Sequence, residues 1–222
     1  RDSYVNATSS RIRAVAGGGQ TPSMTDTIDF VTFSIRGNAT DFGNLSSNRA
    51  GVGACANSTR GLFISGWNPA GADPTDTIDY ITIASEGNAA DFGNLTESRN
   101  YFSALADSTR GIRGGGYNSP GAINTMDYVT IQSEGNALDF GDLTGASTTG
   151  KLTHGSGVSS PTRGMWGGGA HYAPTMTTVN NIDYITISTL GNSADFGDLT
   201  VARKAVCGVA NEVRGVLSGG YT

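Results

Sequence analysis

The sequence predicts an all-β protein, a β-propeller of four-stranded antiparallel blades with about 50 residues per blade. Three observations carry this. The phrase "IDYITI…GNAADFGNL" at Ile78–Leu95 returns as "IDFVTF…GNATDFGNL" at Ile28–Leu45, "MDYVTI…GNALDFGDL" at Met126–Leu143 and "IDYITI…GNSADFGDL" at Ile182–Leu199. Glycine supplies 33 of 222 residues while only 15% are charged, a composition that short strands and tight turns tolerate and long helices do not. Apolar residues alternate at period two in each copy, and a 3.6-residue pattern is nowhere found.

Residues 1–222 read as a single domain of four copies, 1–48, 49–98, 99–146 and 147–202, with a partial copy at 203–222. That gives four complete blades plus a half blade. In each copy the first strand follows an Arg and is small and apolar, as in "RAGVGACANS" and "RNYFSALADS". The second runs from another Arg into a glycine cluster ("RGLFISG", "RGIRGGG", "RGMWGGG", "RGVLSGG"). The third is the alternating "IDYITI", and the fourth, "NAADFGNL", follows a Gly-Asn turn signal. The two copies at the ends both begin at strand one, so they do not complement each other. The expectation is a segment of a longer protein, because a closed ring of five or more blades needs strands from outside these residues.

Spacings between the motifs are of two kinds. From the Asp of "ID(Y/F)" to the Asp of "DFG" is 12 residues in every copy, and eight residues further comes Arg49, Arg99, Ser147 or Arg203. A second Arg (Arg13, Arg60, Arg110, Arg163, Arg214) precedes the last glycine of each cluster by six residues. By contrast, the stretch from that glycine to the "ID" Asp spans 10, 13, 11 and 14 residues. The fourth copy has Ser147 at the Arg position and a five-residue insertion within "TTGKLTHGSGVSSP", assigned here to the loop between its first and second strands.

The Arg-led first strand, the hydrophobics ending in a double glycine and the later aromatic (Phe30, Tyr80, Tyr128, Tyr184) resemble the kelch repeat. Phe42, Phe92, Phe140 and Phe196 replace the fourth-strand Trp of kelch repeats, so this is a divergent, kelch-like version. The wording "TRG…GGGY…NTIDY(I/V)TI…GNA.DFG(D/N)LT..R" is similar to repeats in virion structural and tail-fibre proteins of tailed bacteriophages, marine and cyanobacterial ones in particular. This resemblance implies a non-catalytic structural or adhesion module in a virion or outside the cell. Its implied partners are other virion proteins or a host-surface glycan, and it is compatible with a homo-oligomer. The reading set beside it is a secreted or surface-bound microbial lectin or protein-interaction propeller unrelated to a virus.

In a four-stranded meander the loops alternate between the two ends, which places the elastic glycine-to-"ID" loops and the first-strand arginines together. Variable loops on a repeated scaffold are the usual seat of recognition. Trp67, Asp73, Tyr117, Asn118, His171 and Tyr172 lie in these loops or beside them, and aromatic faces with nearby amides and carboxylates suit a sugar ring. Arg49, Arg99 and Arg203 are candidates for an anionic ligand, since the equivalent positions in kelch domains ring an entrance and contact acidic partners. The "ID" Asp and the second-strand Arg each occur once in every complete copy and are expected to pair with each other as structure.

Other function classes find little support. A net charge of -5 speaks against a nucleic-acid partner, and no 18-residue apolar run is present for membrane insertion. His154, His171, Cys55 and Cys207 have no metal-ligand spacing, and the cysteines are expected to be small buried side chains. "Asp-Phe-Gly" recurs four times in an all-β chain, which rules it out as a kinase motif, and there is no Gly-x-Ser-x-Gly elbow. The loop Gly71–Asp76 offers Ca²⁺ only Asp73 and Asp76, a thin ligand set. No catalytic residue, metal or cofactor is assigned.

Overall fold

The computed structural model describes residues 5–69, 74–118, 121–144, 150–153, 157–172 and 175–222, and among these there is no helix. Copy one holds β1 (Asn6–Ser9), β2 (Arg13–Gly17), β3 (Gln20–Thr21), β4 (Ser23–Met24), β5 (Thr27–Thr32) and β6 (Thr40–Asn44). Copy two holds β7 (Gly53–Ala56), β8 (Arg60–Ile64), β9 (Thr77–Thr82) and β10 (Ala90–Asn94). Copy three holds β11 (Ser103–Ala106), β12 (Arg110–Asn118), β13 (Gly121–Thr130) and β14 (Leu138–Asp142). In copy four come β15 (Lys151–Leu152), β16 (Gly157–Ser159), β17 (Arg163–Gly167), β18 (Ala170–Tyr172), β19 (Met176–Thr178), β20 (Asn181–Thr186) and β21 (Ala194–Asp198). The partial copy supplies β22 (Cys207–Ala210) and β23 (Gly215–Ser218).

Each complete copy forms one four-stranded sheet with its strands in chain order: β1-β2-β5-β6, β7-β8-β9-β10, β11-β12-β13-β14 and β16-β17-β20-β21. β15, β18 and β19 form a separate three-stranded sheet, and β22 pairs with β23. The contacts group into two compact units, Arg1–Asn100 with Val129–Ala137, and Tyr101–Tyr128 with Leu138–Thr222.

The "DFG" motif is a β-bulge. Asp29 pairs with Asp41 and Ile28 with Gly43, leaving Phe42 as the extra residue, and the same shift recurs in the other three sheets. The bulged Phe meets the "ID(Y/F)" ring edge-to-face, with centroids 5.7 Å apart for Phe30–Phe42 and 5.9 Å for Tyr80–Phe92, Tyr128–Phe140 and Tyr184–Phe196. The glycine adopts φ near 140° (143°, 140°, 136° and 135° at Gly43, Gly93, Gly141 and Gly197), a conformation closed to L side chains.

That glycine is also where consecutive copies meet inside each unit. A Cβ on Gly93 would lie 2.6 Å from the backbone of Gly135, and one on Gly141 2.5 Å from that of Gly191. Amides of the following Gly-Asn turn close this approach: Gly87, Gly135 and Gly191 each donate at 2.8 Å to the carbonyl of Phe42, Phe92 and Phe140. Asn88, Asn136 and Asn192 return the contact, their side-chain oxygens accepting from the amides of Asn44, Asn94 and Asp142 at 3.0–3.1 Å. The Gly-Asn signal thus belongs to the junction between copies as well as to its own turn.

Apolar cores fill the same junctions. Val15, Ile28, Phe42 and Leu45 of copy one pack with Val52, Phe63, Ile81 and Ile83 of copy two. Likewise Leu105, Ile112, Met126, Phe140 and Leu143 of copy three pack with Trp166, Ile185 and Ile187 of copy four. Each such side chain contributes about 1.5–3 kcal/mol by leaving water, before entropy is subtracted.

Two sequence expectations are corrected here. The fourth-copy insertion precedes the first strand: the β16–β17 turn, with the Ser160 amide bonded to the Arg163 carbonyl at 2.9 Å, matches the turn between Asn57 and Arg60 at 3.0 Å, so the extra residues lie upstream. The cysteines also differ, Cys55 being buried and Cys207 exposed.

Candidate functional site

The "ID" Asp is buried in copies two, three and four, and in copy two its partner is the first-strand Arg49 rather than the second-strand Arg60 that the sequence led one to expect. Asp79 forms an ion pair with Arg49, both at 0% exposure. Arg49 also donates to the carbonyls of Thr77 at 3.2 Å and Ser65 at 3.4 Å. Asp79 reaches back into copy one as well, accepting from the Ser46 amide at 2.9 Å and its hydroxyl at 2.8 Å. Burial pulls the Arg49 guanidinium below its ordinary pKa, opposed by the charge and hydrogen bond of Asp79.

In copy four Lys151 takes this role, four residues beyond the Ser147 that the regular spacing selects. Its ammonium pairs with Asp183 in full burial, and desolvation lowers its pKa against the pull of that carboxylate. Asp183 also accepts from the Thr144 amide at 2.9 Å and the Ser193 hydroxyl at 3.1 Å. In copy three Asp127 pairs with Arg113 of β12. Arg99 is buried and bonds Glu97 at 3.0 Å, while the half-buried Arg203 donates to the Leu217 carbonyl at 3.1 Å. Solvent does not reach Arg49 or Arg99, and what charge they carry is already answered inside the protein.

The second-strand arginines serve the junctions. Arg13, Arg60, Arg110 and Arg163 lie over Phe30, Tyr80, Tyr128 and Tyr184, 4.5–4.9 Å from the ring centroids. The first three also donate to a carbonyl of the next copy, at Ile83, Ile131 and Ile187, over 3.1, 3.1 and 2.8 Å. Arg13 and Arg60 reach Glu86 and Glu134 at 3.5 and 3.4 Å, and Tyr80 donates to Glu134 at 2.7 Å, which raises its pKa above the usual tyrosine value.

The loop candidates fare differently. Tyr117 and Tyr172 meet edge-to-face with centroids 5.5 Å apart, and both are half-buried. Asn118 ends β12 one residue further on. His171, in the middle strand of the β15-β18-β19 sheet, pairs with Lys151, and its Nδ1 lies 3.1 Å from the Gly150 carbonyl. Lys151 and Leu152 of the insertion segment therefore run beside the aromatic loop of their own copy. Trp67 forms two backbone bonds with Ala50, at 3.1 and 2.8 Å, and its ring lies over Gly51. Asp73 lies outside the described residues.

The structure thus brings Tyr117, Tyr172, His171 and the strand Lys151–Leu152 together within one unit. Sequence reasoning missed Lys151 and Arg113. Lys151 carried a signal, as one of only two lysines in the chain and lying inside the insertion. A cleft of about 250 Å³ lies elsewhere, between β17, β21 and the β22–β23 turn, lined by Val158, Arg163, Met165, Phe196, Val213 and Gly215 among others. Among the described residues no cluster of three or more His, Cys, Asp or Glu is placed to hold a metal, and no helix is long and apolar enough to cross a membrane. No protein-family model matches the chain, and no curated protein matches it either.

Proposed function

We propose that this chain is a non-catalytic recognition module, a kelch-like β-propeller segment that displays one specialised loop cluster toward a host-surface glycan, as part of a phage particle. The observation that carries the recognition part is the Tyr117–Tyr172 pair, 5.5 Å between centroids, set beside His171 and the fourth-copy insertion. Half-exposed aromatic rings stack on the C–H face of a sugar, and the neighbouring amide of Asn118 and imidazole of His171 supply groups for its hydroxyls. The buried pairing of Arg49–Asp79, Arg113–Asp127 and Lys151–Asp183 supports a scaffold role for the recurrent charges, which leaves the loops to vary. The propeller reading is supported by four sheets of identical strand order and three recurrent junctions, and the virion setting by the wording of the repeat alone.

The test is binding of the purified chain to a glycan array and to host cells, with Tyr172→Ala in parallel. The proposal expects a glycan hit weakened about tenfold or more by the substitution, since aromatic contacts of this kind carry about 0.5–1.5 kcal/mol beyond the area they bury. Absence of any glycan or cell binding refutes the recognition role. Absence of the chain from purified particles, with binding intact, refutes the virion setting and leaves a lectin.

A further inference from the structure

We propose that β23 and the cleft beside β21 form an acceptor slot for one more third-and-fourth-strand hairpin of this repeat, of the copy-two type. Three junctions show what normally occupies this place. In each, the bulged Phe is covered, at 3% exposure for Phe42 and 2% for Phe92 and Phe140, whereas Phe196 is 50% exposed. A Gly-Asn turn approaches Gly43, Gly93 and Gly141, whereas a Cβ on Gly197 would meet nothing within 4 Å. Arg13, Arg60 and Arg110 each hold a third-strand carbonyl of the next copy, whereas the Arg163 guanidinium meets neither carbonyl nor carboxylate among the described residues. Finally β8, β12 and β17 each pair with a third strand, whereas β23 pairs with β22 alone among the described residues.

The partial copy already fills part of the junction. Leu217 sits against Gly167 and Leu199 stands beside it, at the place that Phe63 takes against Gly17 and Trp166 against Gly114. What is lacking is the pair of third-strand isoleucines, Ile81 and Ile83 in one core and Ile185 and Ile187 in the other. The cleft of about 250 Å³ lies where they would go, lined by the half-buried Met165 and the exposed Phe196 that they would cover. An alternating strand added to an open sheet edge gains main-chain hydrogen bonds from the edge and specificity from such pockets.

The charges choose among the chain's own hairpins. Copies two and three place Glu86 and Glu134 against the second-strand Arg of the copy before, at 3.5 and 3.4 Å. Copy one has Arg36 at that position, which would face Arg163 with like charge. The occupant is therefore a hairpin that carries Ile-x-Ile, an acidic residue and Gly-Asn in the order Ile81, Ile83, Glu86, Gly87, Asn88.

The experiment titrates a synthetic peptide with the sequence of residues 77–95 into the full chain, by calorimetry and by hydrogen exchange. The proposal expects one peptide per chain, new protection at Ala194–Asp198 and Gly215–Ser218, and about tenfold weaker binding to Arg163→Ala, in line with loss of a hydrogen bond to a charged group. The same peptide with Ile81→Asp and Ile83→Asp should not bind, and a peptide of residues 27–45, with Arg36, should bind more weakly than the first. A chain extended past Thr222 by the copy-two residues 68–95 removes the cost of bringing a free peptide in, and should melt at a higher temperature than the same extension with both aspartates. No binding and no rise in melting temperature overturns the proposal. So does protection at other strands, an Arg163→Ala chain that binds unchanged, or a double-aspartate peptide that binds as well.

Discussion

Asp79→Ala tests the claim that the recurrent charges build the scaffold. The substitution removes the carboxylate that faces a fully buried guanidinium, and Arg49 then keeps only the carbonyls of Thr77 and Ser65. Among the described residues the Arg49 Nε has no hydrogen-bond partner. Ser46 loses the acceptor for both its amide and its hydroxyl, which removes one of the ties between copy one and copy two. Breaking a buried pair from one side costs about 3–5 kcal/mol, because a charge is left in low dielectric without compensation. At about 2–4 °C per kcal/mol for a chain of this size, the melting temperature should fall by about 6–20 °C. Urea denaturation followed by circular dichroism measures the loss. Arg49→Met combined with Asp79→Leu should recover most of it, since both charges then leave together. A loss below about 1 kcal/mol, the value of an exposed pair, would refute the reasoning, and so would a double variant as unstable as the single one.

Other consequences are simpler to measure. In the native protein a thiol reagent should label Cys207 and spare Cys55, whose pKa burial pushes up to about 12; two labelled thiols before unfolding would contradict this. Since the Cys55 pKa is raised on folding, its contribution to stability is complete below the unfolded value near 9 and is lost as pH climbs through about 12. Tyr80, raised by its hydrogen bond to Glu134, should ionise later than the other tyrosines in an absorbance titration, and Glu134→Gln should bring its ionisation back toward the ordinary range. Its contribution is likewise present below the unfolded value of 10.0 and lost above it. Gly141→Val and Gly197→Val impose the same backbone strain at φ 136° and 135°, but only the first collides with the next copy, at Gly191. Thermal melts should show Gly141→Val as the worse by about 1–3 kcal/mol, and equal losses would deny the close approach.

The sheets were legible because alternation and turn signals repeat, so each copy confirms the strand assignment of the others. The purpose of "DFG" was not legible. A bulge is set by pairing between strands, and the Gly-Asn turn that presses on it comes from the next copy, about 45 residues later. The charge pairing was half legible: Asp and Arg stand in register, but two arginines per copy compete, and only geometry separates the one buried beside Asp79 from the one stacked on Tyr80. Copy four defeated the spacing outright. Counting eight residues from Asp195's equivalent, Asp139, lands on Ser147, while the working cation is Lys151.

That shift decides which end of the sheet the altered segment occupies. An insertion between the first and second strands would fall at the far end of the sheet from the aromatic loop, and the fourth copy would be altered at two unrelated places. With Lys151 anchored on Asp183, the extra residues are held upstream, and β15 pairs directly with the strand that carries His171 and Tyr172. The Lys151–Asp183 ion pair, which the regular spacing did not select, thereby holds β15 beside the strand of the aromatic loop. Tyr117 of copy three then reaches Tyr172 across one junction, so two copies contribute to a single aromatic cluster. A repeat protein can alter one copy in this way, by changing what one loop leans on while the junctions keep their glycine, their arginine and their buried carboxylate.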